Sequence, residues 1–176
     1  FEAAVAGGIP IIKALREGLA ANSVKRVYGI LNGTCNYILT TMEDTGRDFA
    51  DVLAEAQAKG YAEADPTLDV GGGDTAHKLA LLASVAFGTA PNFDAIAVEG
   101  ITNITADDIA FASEFGYRIK LLGVARKVGD AIDQKVHPAM VQKRAPLANV
   151  SGAANGVMVE AGEAGSFFFS GRGAGE

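Results

Sequence analysis

The chain has 176 residues, of which 49% are hydrophobic and 20% are charged, a composition typical of a globular domain with its own core. Its formal net charge of −6 excludes the basic surface that binds nucleic acid, and no apolar run is long enough to span a membrane. The single cysteine, Cys35, excludes an internal disulfide and a cysteine metal cluster, which favours a reducing, cytoplasmic location.

The first half of the chain is predicted to be mainly helical. Apolar residues recur at helical spacing after Pro10, a residue suited to the first position of a helix. Asn32 follows a segment with strand character and is suited to a turn and a helix cap. The pattern predicts, in chain order, a helix from Pro10 to about Leu19, a strand over 25–31, a turn at 32–34, a helix around 37–42 and a helix from 49 that ends at Gly60.

The second half is predicted to be rich in strands. The segment 105–108 resembles a capping box, which begins a helix. We predict a buried helix over 77–88, a strand over 95–98, a helix over 105–115, a β-hairpin of 118–126 with 131–136, and strands over 156–160 and 166–169. For the three phenylalanines at 167–169 we expect a buried strand, or a dimer or interdomain contact. Helices ahead of strands predict an α+β fold, with helices packed on one face of a mixed, largely antiparallel sheet.

The stretch 56–78 concentrates charge among residues that must turn. Its acidic residues are Glu63, Asp65, Asp69 and Asp74, and it ends at Lys78. Glycines and a proline interrupt these charges, so the stretch cannot be one surface helix. A polar site is usually built on such a loop between regular elements. We therefore expect this stretch to bind a polar substrate and to supply a proton.

Lys78 is the candidate proton donor. In a helix that begins near Asp74, Lys78 lies one turn further on, on the side continued by Leu82. A lysine on this apolar side must reach a cavity or a partner, and from there it could protonate a developing alkoxide. The simpler alternative is an ordinary helical ion pair of Asp74 and Lys78. The glycines 71–73 favour a functional site. Three glycines in a row indicate that the backbone adopts unusual angles or that another group approaches the backbone closely.

The carboxylates leave further alternatives open. Asp65 and Asp69 could act only as turn and cap residues, whereas Glu63 has no such local role and is the first candidate for a substrate contact. Asp65, Asp69 and Asp74 could instead hold a divalent metal ion, although Lys78 would compete with it. His77 should point away from Lys78, at the surface, and Cys35 is expected to be a buried thiol.

The same stretch resembles the signature of homoserine dehydrogenases. Every fixed place of that signature is filled, by Ala56, Gly60, Tyr61, Ala62, Asp65, Pro66, Asp69, Val70, Gly72, Asp74 and Lys78. The segments FEAAVAGGIPII at 1–12 and GILNGTCNYIL at 29–39 resemble the beginning of the family's catalytic domain. GRGAG at 171–175 resembles the point where the family's chain returns to its nucleotide domain. The resemblance covers essentially the whole chain.

The resemblance implies an enzyme that interconverts L-aspartate 4-semialdehyde and L-homoserine with NADPH or NADH, a step in the biosynthesis of threonine, methionine and isoleucine. It implies that Lys78 donates a proton to the aldehyde oxygen and that Asp69 orients Lys78 or a water. Glu63, Asp74 and Tyr61 are implied to bind the substrate. A homodimer, formed mainly through this domain, is implied as well, with no nucleic-acid or membrane partner.

The resemblance also implies sites near the two ends of the chain. Cofactor contacts are implied at Gly171, Gly173, Ala174 and Gly175. A monovalent cation, Na⁺ or K⁺, is implied at Glu2 and at the backbone carbonyls of Val5, Gly7 and Ile9, although the residues alone favour a closely packed loop before a helix.

The resemblance also implies the domain organisation. Residues 1–170 are assigned to the catalytic domain, and 171–176 to the start of the return to a nucleotide-binding domain that these residues do not contain. We expect the chain to be one domain of a larger protein and to have no dehydrogenase activity alone. The alternative is a binding or assembly module that has the same fold without catalysis.

Overall fold

Six strands form one sheet at the centre of the fold. The structure, a computed structural model, describes residues 4–173. The strands are β1 (Val24–Ile30), β2 (Ala97–Val98), β3 (Tyr117–Val128), β4 (Ala131–Gln142), β5 (Ala154–Ala161) and β6 (Gly165–Arg172). Their order is β2-β4-β3-β1-β5-β6, and every pair is antiparallel except β2 with β4. The predicted mixed, largely antiparallel sheet is confirmed.

The helices lie mainly before and between the strands. They are α1 (Ile11–Lys13), α2 (Gly33–Thr45), α3 (Phe49–Ala58), α4 (Thr67–Val70), α5 (Gly73–Phe87) and α6 (Ala106–Glu114). A π-helical turn (Ala14–Gly18) follows α1, where the N–H of Leu19 donates to the carbonyl of Ala14 at 2.8 Å. The helix predicted from Pro10 is therefore short and widens in its second turn. A 3-10 turn (Pro146–Asn149) precedes β5.

The helix boundaries follow from local chemistry. The capping box of α6 is confirmed: the side chain of Thr105 accepts from the N–H of Asp108, whose side chain accepts from the N–H of Thr105. Helix α3 ends at Ala58, just before Gly60 adopts the left-handed conformation with φ 78°. The four-residue helix α4 was not predicted, because it is too short to show a helical period.

The helices cover one face of the sheet. Residues that alternate along the strands, among them Val27, Leu121 and Val157, pack with α2 and α5 in the main core. The opposite face carries a smaller apolar cluster in which Ile30 and Leu122 pack against residues of the 3-10 turn and its end. Several side chains on this second face are only half-buried. The prediction of helices on one face therefore agrees with the two clusters.

The predicted strand of phenylalanines needs a correction. Residues 167–169 lie in β6, but β6 is an edge strand of the sheet and is not fully buried. Phe167 and Phe169 pack against the main core, whereas Phe168 points to the other face and is 37% exposed. The reason is that only one face of the sheet is covered by helices. Among the described helices, none is both long enough and apolar enough to cross a membrane.

Candidate active site

Asn32 joins the two parts of the site. It lies between β1 and α2, where its Oδ1 accepts the N–H of Cys35 at 2.7 Å and so caps α2. Its Nδ2 donates to Asp69 Oδ1 at 2.7 Å and to Asp74 Oδ2 at 2.8 Å. All hydrogen-bonding atoms of this buried side chain are used. One amide therefore caps a helix and ties two carboxylates together.

Helices α4 and α5 place these carboxylates, and the glycines between them allow the turn. Gly72 has φ 86°, a conformation that other residues adopt only with strain, which confirms the predicted unusual backbone. The segment 99–101 packs closely here: the N–H of Ile101 donates to the carbonyl of Val70, and a Cβ at Gly100 would lie 2.1 Å from that oxygen. The close approach to the glycines comes from the chain itself.

Lys78 extends from α5 into the same cluster. Its Nζ donates to Asp74 Oδ2 at 2.6 Å and to the carbonyl of Leu31 at 3.1 Å. The Lys78 side chain is 27% exposed, which agrees with its predicted place beside the apolar side of the helix. The contact with Leu31, 47 residues away, distinguishes this lysine from one in an ordinary surface ion pair.

Burial changes the proton affinity of two groups in the cluster. Burial raises the pKa of Asp69 above its ordinary value, and the charge of Asp74 raises it further, against the lowering effect of the Asn32 hydrogen bond. The N-terminus of α2 lies beside these carboxylates, and the helix dipole there stabilises negative charge. Cys35 is a buried free thiol, as predicted, and burial raises its pKa, so it is no nucleophile.

Glu63 and Tyr61 lie on the loop between α3 and α4. Glu63 is exposed, and its charge is one of the causes that raise the pKa of Asp69. The ring of Tyr61 stacks on Tyr37 with 4.5 Å between ring centroids. His77 is exposed, as predicted, and contacts Phe93.

The divalent-metal alternative finds no support in the described part of the chain. The carboxylate of Asp65 accepts the N–H of Thr67 at 3.1 Å, a turn contact. Within residues 4–173, no three acidic, histidine or cysteine side chains are grouped so that they could hold a metal ion. Asp65 is thus a turn residue, one of the roles that the sequence left open.

Ile9 of the predicted cation loop lies against Gly171, one of the predicted cofactor contacts. Ala6 and Gly7 both have positive φ, and the N–H of Ile9 donates to the carbonyl of Ala6. A Cβ at Gly171 would lie 3.1 Å from Ile9 Cγ1, and one at Gly173 would lie 3.2 Å from Asn155 Nδ2. Val5 is buried in the main core. Three further predicted contacts, Glu2, Ala174 and Gly175, lie outside the described residues.

An apolar groove elsewhere carries no comparable chemistry. It lies between α6 and the β3–β4 hairpin and is lined by residues such as Phe111, Phe115 and Met140. Its one acidic residue, Asp108, is used in the capping box. No lining residue belongs to the cluster around Lys78.

Sequence reasoning missed part of the site. It assigned Asn32 only to a turn and cap, and it did not anticipate the carbonyl of Leu31 as a partner of Lys78. The only available signal was the position of Asn32 within the segment 29–39, which resembles the same family as the carboxylate stretch.

An α+β domain with a half-buried lysine among tied carboxylates is typical of a proton-transferring enzyme. The sequence profile of the family described as homoserine dehydrogenase matches residues 10–176. The chain therefore belongs to the homoserine dehydrogenase family.

Individual relatives agree with this assignment. The homoserine dehydrogenase of Neisseria gonorrhoeae is 57% identical over 175 residues, and that of Pseudomonas aeruginosa is 55% identical; each match covers 99% of this chain and 40% of the relative. The crystal structure of a homoserine dehydrogenase from Thiobacillus denitrificans matches with a TM-score of 0.98 and 53% identity, over 100% of this chain and 41% of that one. A hyperthermophilic archaeal homoserine dehydrogenase in complex with NADPH matches with a TM-score of 0.84 and 27% identity, over 99% of this chain and 50% of that one. The chain thus spans about 40% of the length of these two bacterial relatives.

Proposed function

We propose that the chain is the substrate-binding and catalytic domain of a homoserine dehydrogenase. The complete protein would reduce L-aspartate 4-semialdehyde reversibly to L-homoserine with NADPH or NADH. The observation that carries this proposal is the position of Lys78, whose ammonium is held by Asp74 and the carbonyl of Leu31. Family membership and the relatives' names support the same reaction.

Lys78 is the proposed proton donor. An ammonium has three N–H donors, and two of them are directed to Asp74 and Leu31, which leaves one for the substrate's aldehyde oxygen. A bound nicotinamide nucleotide supplies the hydride. As negative charge grows on the oxygen, Lys78 donates its proton. Asp74 keeps the ammonium in place, and Asp69, tied to Asp74 through Asn32, orients Lys78 or a water.

The carboxylates are proposed to recognise the substrate's ammonium group. Glu63 is exposed, its charge acts on Asp69, and the two carboxylates together would attract a cation. Tyr61, on the same loop, would form one wall of the substrate site. A charge-assisted contact of this kind favours an amino acid over an uncharged aldehyde.

Most of the cofactor contact is proposed to lie outside this chain. Gly171 and Gly173, with Ala174 and Gly175, would contact the nucleotide, because glycines permit a close backbone approach. The cation proposed at Glu2, Val5, Gly7 and Ile9 would be held mainly by carbonyl groups, which suit Na⁺ or K⁺; the positive φ of Gly7 provides a sharp turn there. We expect the isolated chain to have no dehydrogenase activity.

A homodimer is proposed to form through the sheet face opposite the helices. Tyr28, Val124 and Met158 are half-buried there and surround the smaller apolar cluster. A second copy would bury this surface. Sedimentation at micromolar concentration should show a dimer, and Val124→Asp should shift it toward the monomer. A wild-type monomer would contradict this part of the proposal.

The decisive test uses the complete protein with its flanking regions. Lys78→Ala should lower turnover of aspartate semialdehyde by roughly 10²- to 10⁴-fold, the range for loss of a general acid. Lys127→Ala, which changes an exposed lysine on β3, is the matched control and should retain turnover. Near-normal turnover of Lys78→Ala would refute the acid role. Absence of turnover in the wild-type complete protein would favour the non-catalytic binding or assembly module.

A further inference from the structure

The loop that carries Glu63 is held through its backbone. This loop, residues 61–65, joins α3 to the turn before α4. Thr34 Oγ1 donates to the carbonyl of Tyr61 at 2.7 Å. Gln57 Nε2 donates to the carbonyls of Glu63 and Ala64 at 3.1 and 3.3 Å. These three hydrogen bonds are accepted by backbone carbonyls, whereas the Glu63 side chain is exposed, so they fix the backbone from which this side chain projects.

An aromatic stack supports the beginning of the same loop. The rings of Tyr37 and Tyr61 are 4.5 Å apart and inclined by 29°. Tyr37 Oη donates to Glu55 Oε1 at 2.9 Å. Glu55 also accepts from Lys59 at 2.6 Å and from Arg47. These hydrogen bonds lower the pKa of Glu55 to about 2, so this anchor stays charged at neutral and alkaline pH.

We propose that Gln57 and Tyr37 are positioning residues that set the affinity of the site for the ammonium group of its amino-acid substrate. They act by fixing the backbone of the 61–65 loop, so that Glu63 is already in position before the substrate binds. This inference rests on the proposed function, because it takes Glu63 as the substrate-binding carboxylate.

The physical reason is the cost of ordering a loop. Gly60, at the start of the connection, has φ 78° and no side chain to limit its motion. Without its anchors the loop would sample several positions, and binding would have to select one of them. Chemistry at Lys78, on a different helix, would be unchanged once the substrate is bound. The expected signature is therefore a raised KM with an unchanged kcat.

Gln57→Met in the complete protein tests the proposal. Both bonds are donated by Nε2, and methionine has similar length but no donor, so they are lost with little change in volume. KM for aspartate semialdehyde should rise roughly five- to tenfold, the lower end of the range for two lost neutral hydrogen bonds, because both bonds are exposed. The kcat and the KM for the nicotinamide nucleotide should change by less than about twofold. Gln142→Met, at an exposed glutamine of β4, is the matched control and should leave all three constants unchanged.

The tyrosine stack provides a second, independent variant. Tyr37→Leu removes the stack and should raise the KM for aspartate semialdehyde. Tyr37→Phe keeps the ring, so its KM should stay close to that of the wild type. Thermal melting of each variant shows whether it is folded. A folded Tyr37→Leu variant with the wild-type KM would refute the role of Tyr37. Where Tyr37→Leu is unstable, the inference is decided by Gln57→Met.

The outcomes separate this inference from the proposed function. Glu63→Gln is included as a reference, since it removes the carboxylate itself. If Glu63→Gln raises KM while Gln57→Met leaves it at the wild-type value, the positioning role is refuted and the proposed function stands. A fall in kcat without a change in KM for Gln57→Met would also refute it. If the wild-type complete protein does not turn over aspartate semialdehyde, the proposed function fails, and this inference fails with it.

Discussion

Lys120→Met should remove a pH dependence from the stability of this fold. Lys120, on β3, is 1% exposed, and its ammonium is bound by neutral acceptors: Asn36 Oδ1 at 3.0 Å and the carbonyl of Val150 at 2.8 Å. Thr40 lies at 3.5 Å. Burial lowers the pKa of Lys120 to about 8, and the charge of Arg118 adds to this, against the raising effect of Glu43 and Asp44.

The magnitude follows from the two pKa values. The ordinary pKa of a lysine is 10.5, and that of Lys120 in the folded chain is about 8. Between these values the unfolded chain binds more protons than the folded chain, so the free energy of unfolding rises with pH. A tenfold change in proton affinity corresponds to about 1.4 kcal/mol, and the gain from pH 7 to pH 10 is therefore roughly 2 kcal/mol. The Glu43, Asp44 and Arg118 charges that face Lys120 are included in its pKa.

The assay is urea unfolding of this chain at pH 7, 8, 9 and 10. Other groups also titrate in this range, so the informative quantity is the difference between the wild type and Lys120→Met. The wild type should gain roughly 2 kcal/mol more than the variant over this range. Lys127→Met, at an exposed lysine of the same strand, should retain the wild-type gain. An equal pH dependence in the wild type and Lys120→Met would refute the reasoning.

Three further predictions concern the site and the helix ends. Asn32→Asp keeps the oxygen that caps α2 but places a third carboxylate against Asp69 and Asp74. The kcat/KM of the complete protein should therefore fall by at least about tenfold. The circular dichroism of its helices should not change. Gly72→Ala places a Cβ at φ 86°, and urea unfolding should show a loss of about 1–2 kcal/mol. Thr105→Ala removes the side-chain cap of α6 and should cost about 1 kcal/mol in the same assay.

The sequence predicted the features whose partners are close along the chain. The capping box at Thr105 and the β3–β4 hairpin depend on residues a few positions apart, and both are confirmed, although the hairpin strands extend further than predicted. The amide of Asn32 contacts carboxylates 37 and 42 positions away, and no local pattern contains that information. The burial of Lys120 was not predicted either, because a lysine within a strand is usually solvated.

The site and the core meet in the first turn of α2. Asn32 ties the carboxylates on one side of this turn, and Asn36, one turn further on, accepts from the buried ammonium of Lys120 on the other. Asn36 Nδ2 also lies within hydrogen-bonding distance of the carbonyls of Val150, Gly152 and Ala154, along the segment that leads into β5. β1 lies between β3 and β5 in the sheet, and it ends at Ile30, before this turn. Beyond that point β1 no longer links the two strands, and the hydrogen bonds of Asn36 and Lys120 connect β3 to the segment before β5. These bonds fix the start of α2 to the sheet, and from this position a single amide, Asn32, holds two carboxylates at hydrogen-bonding distance beside Lys78.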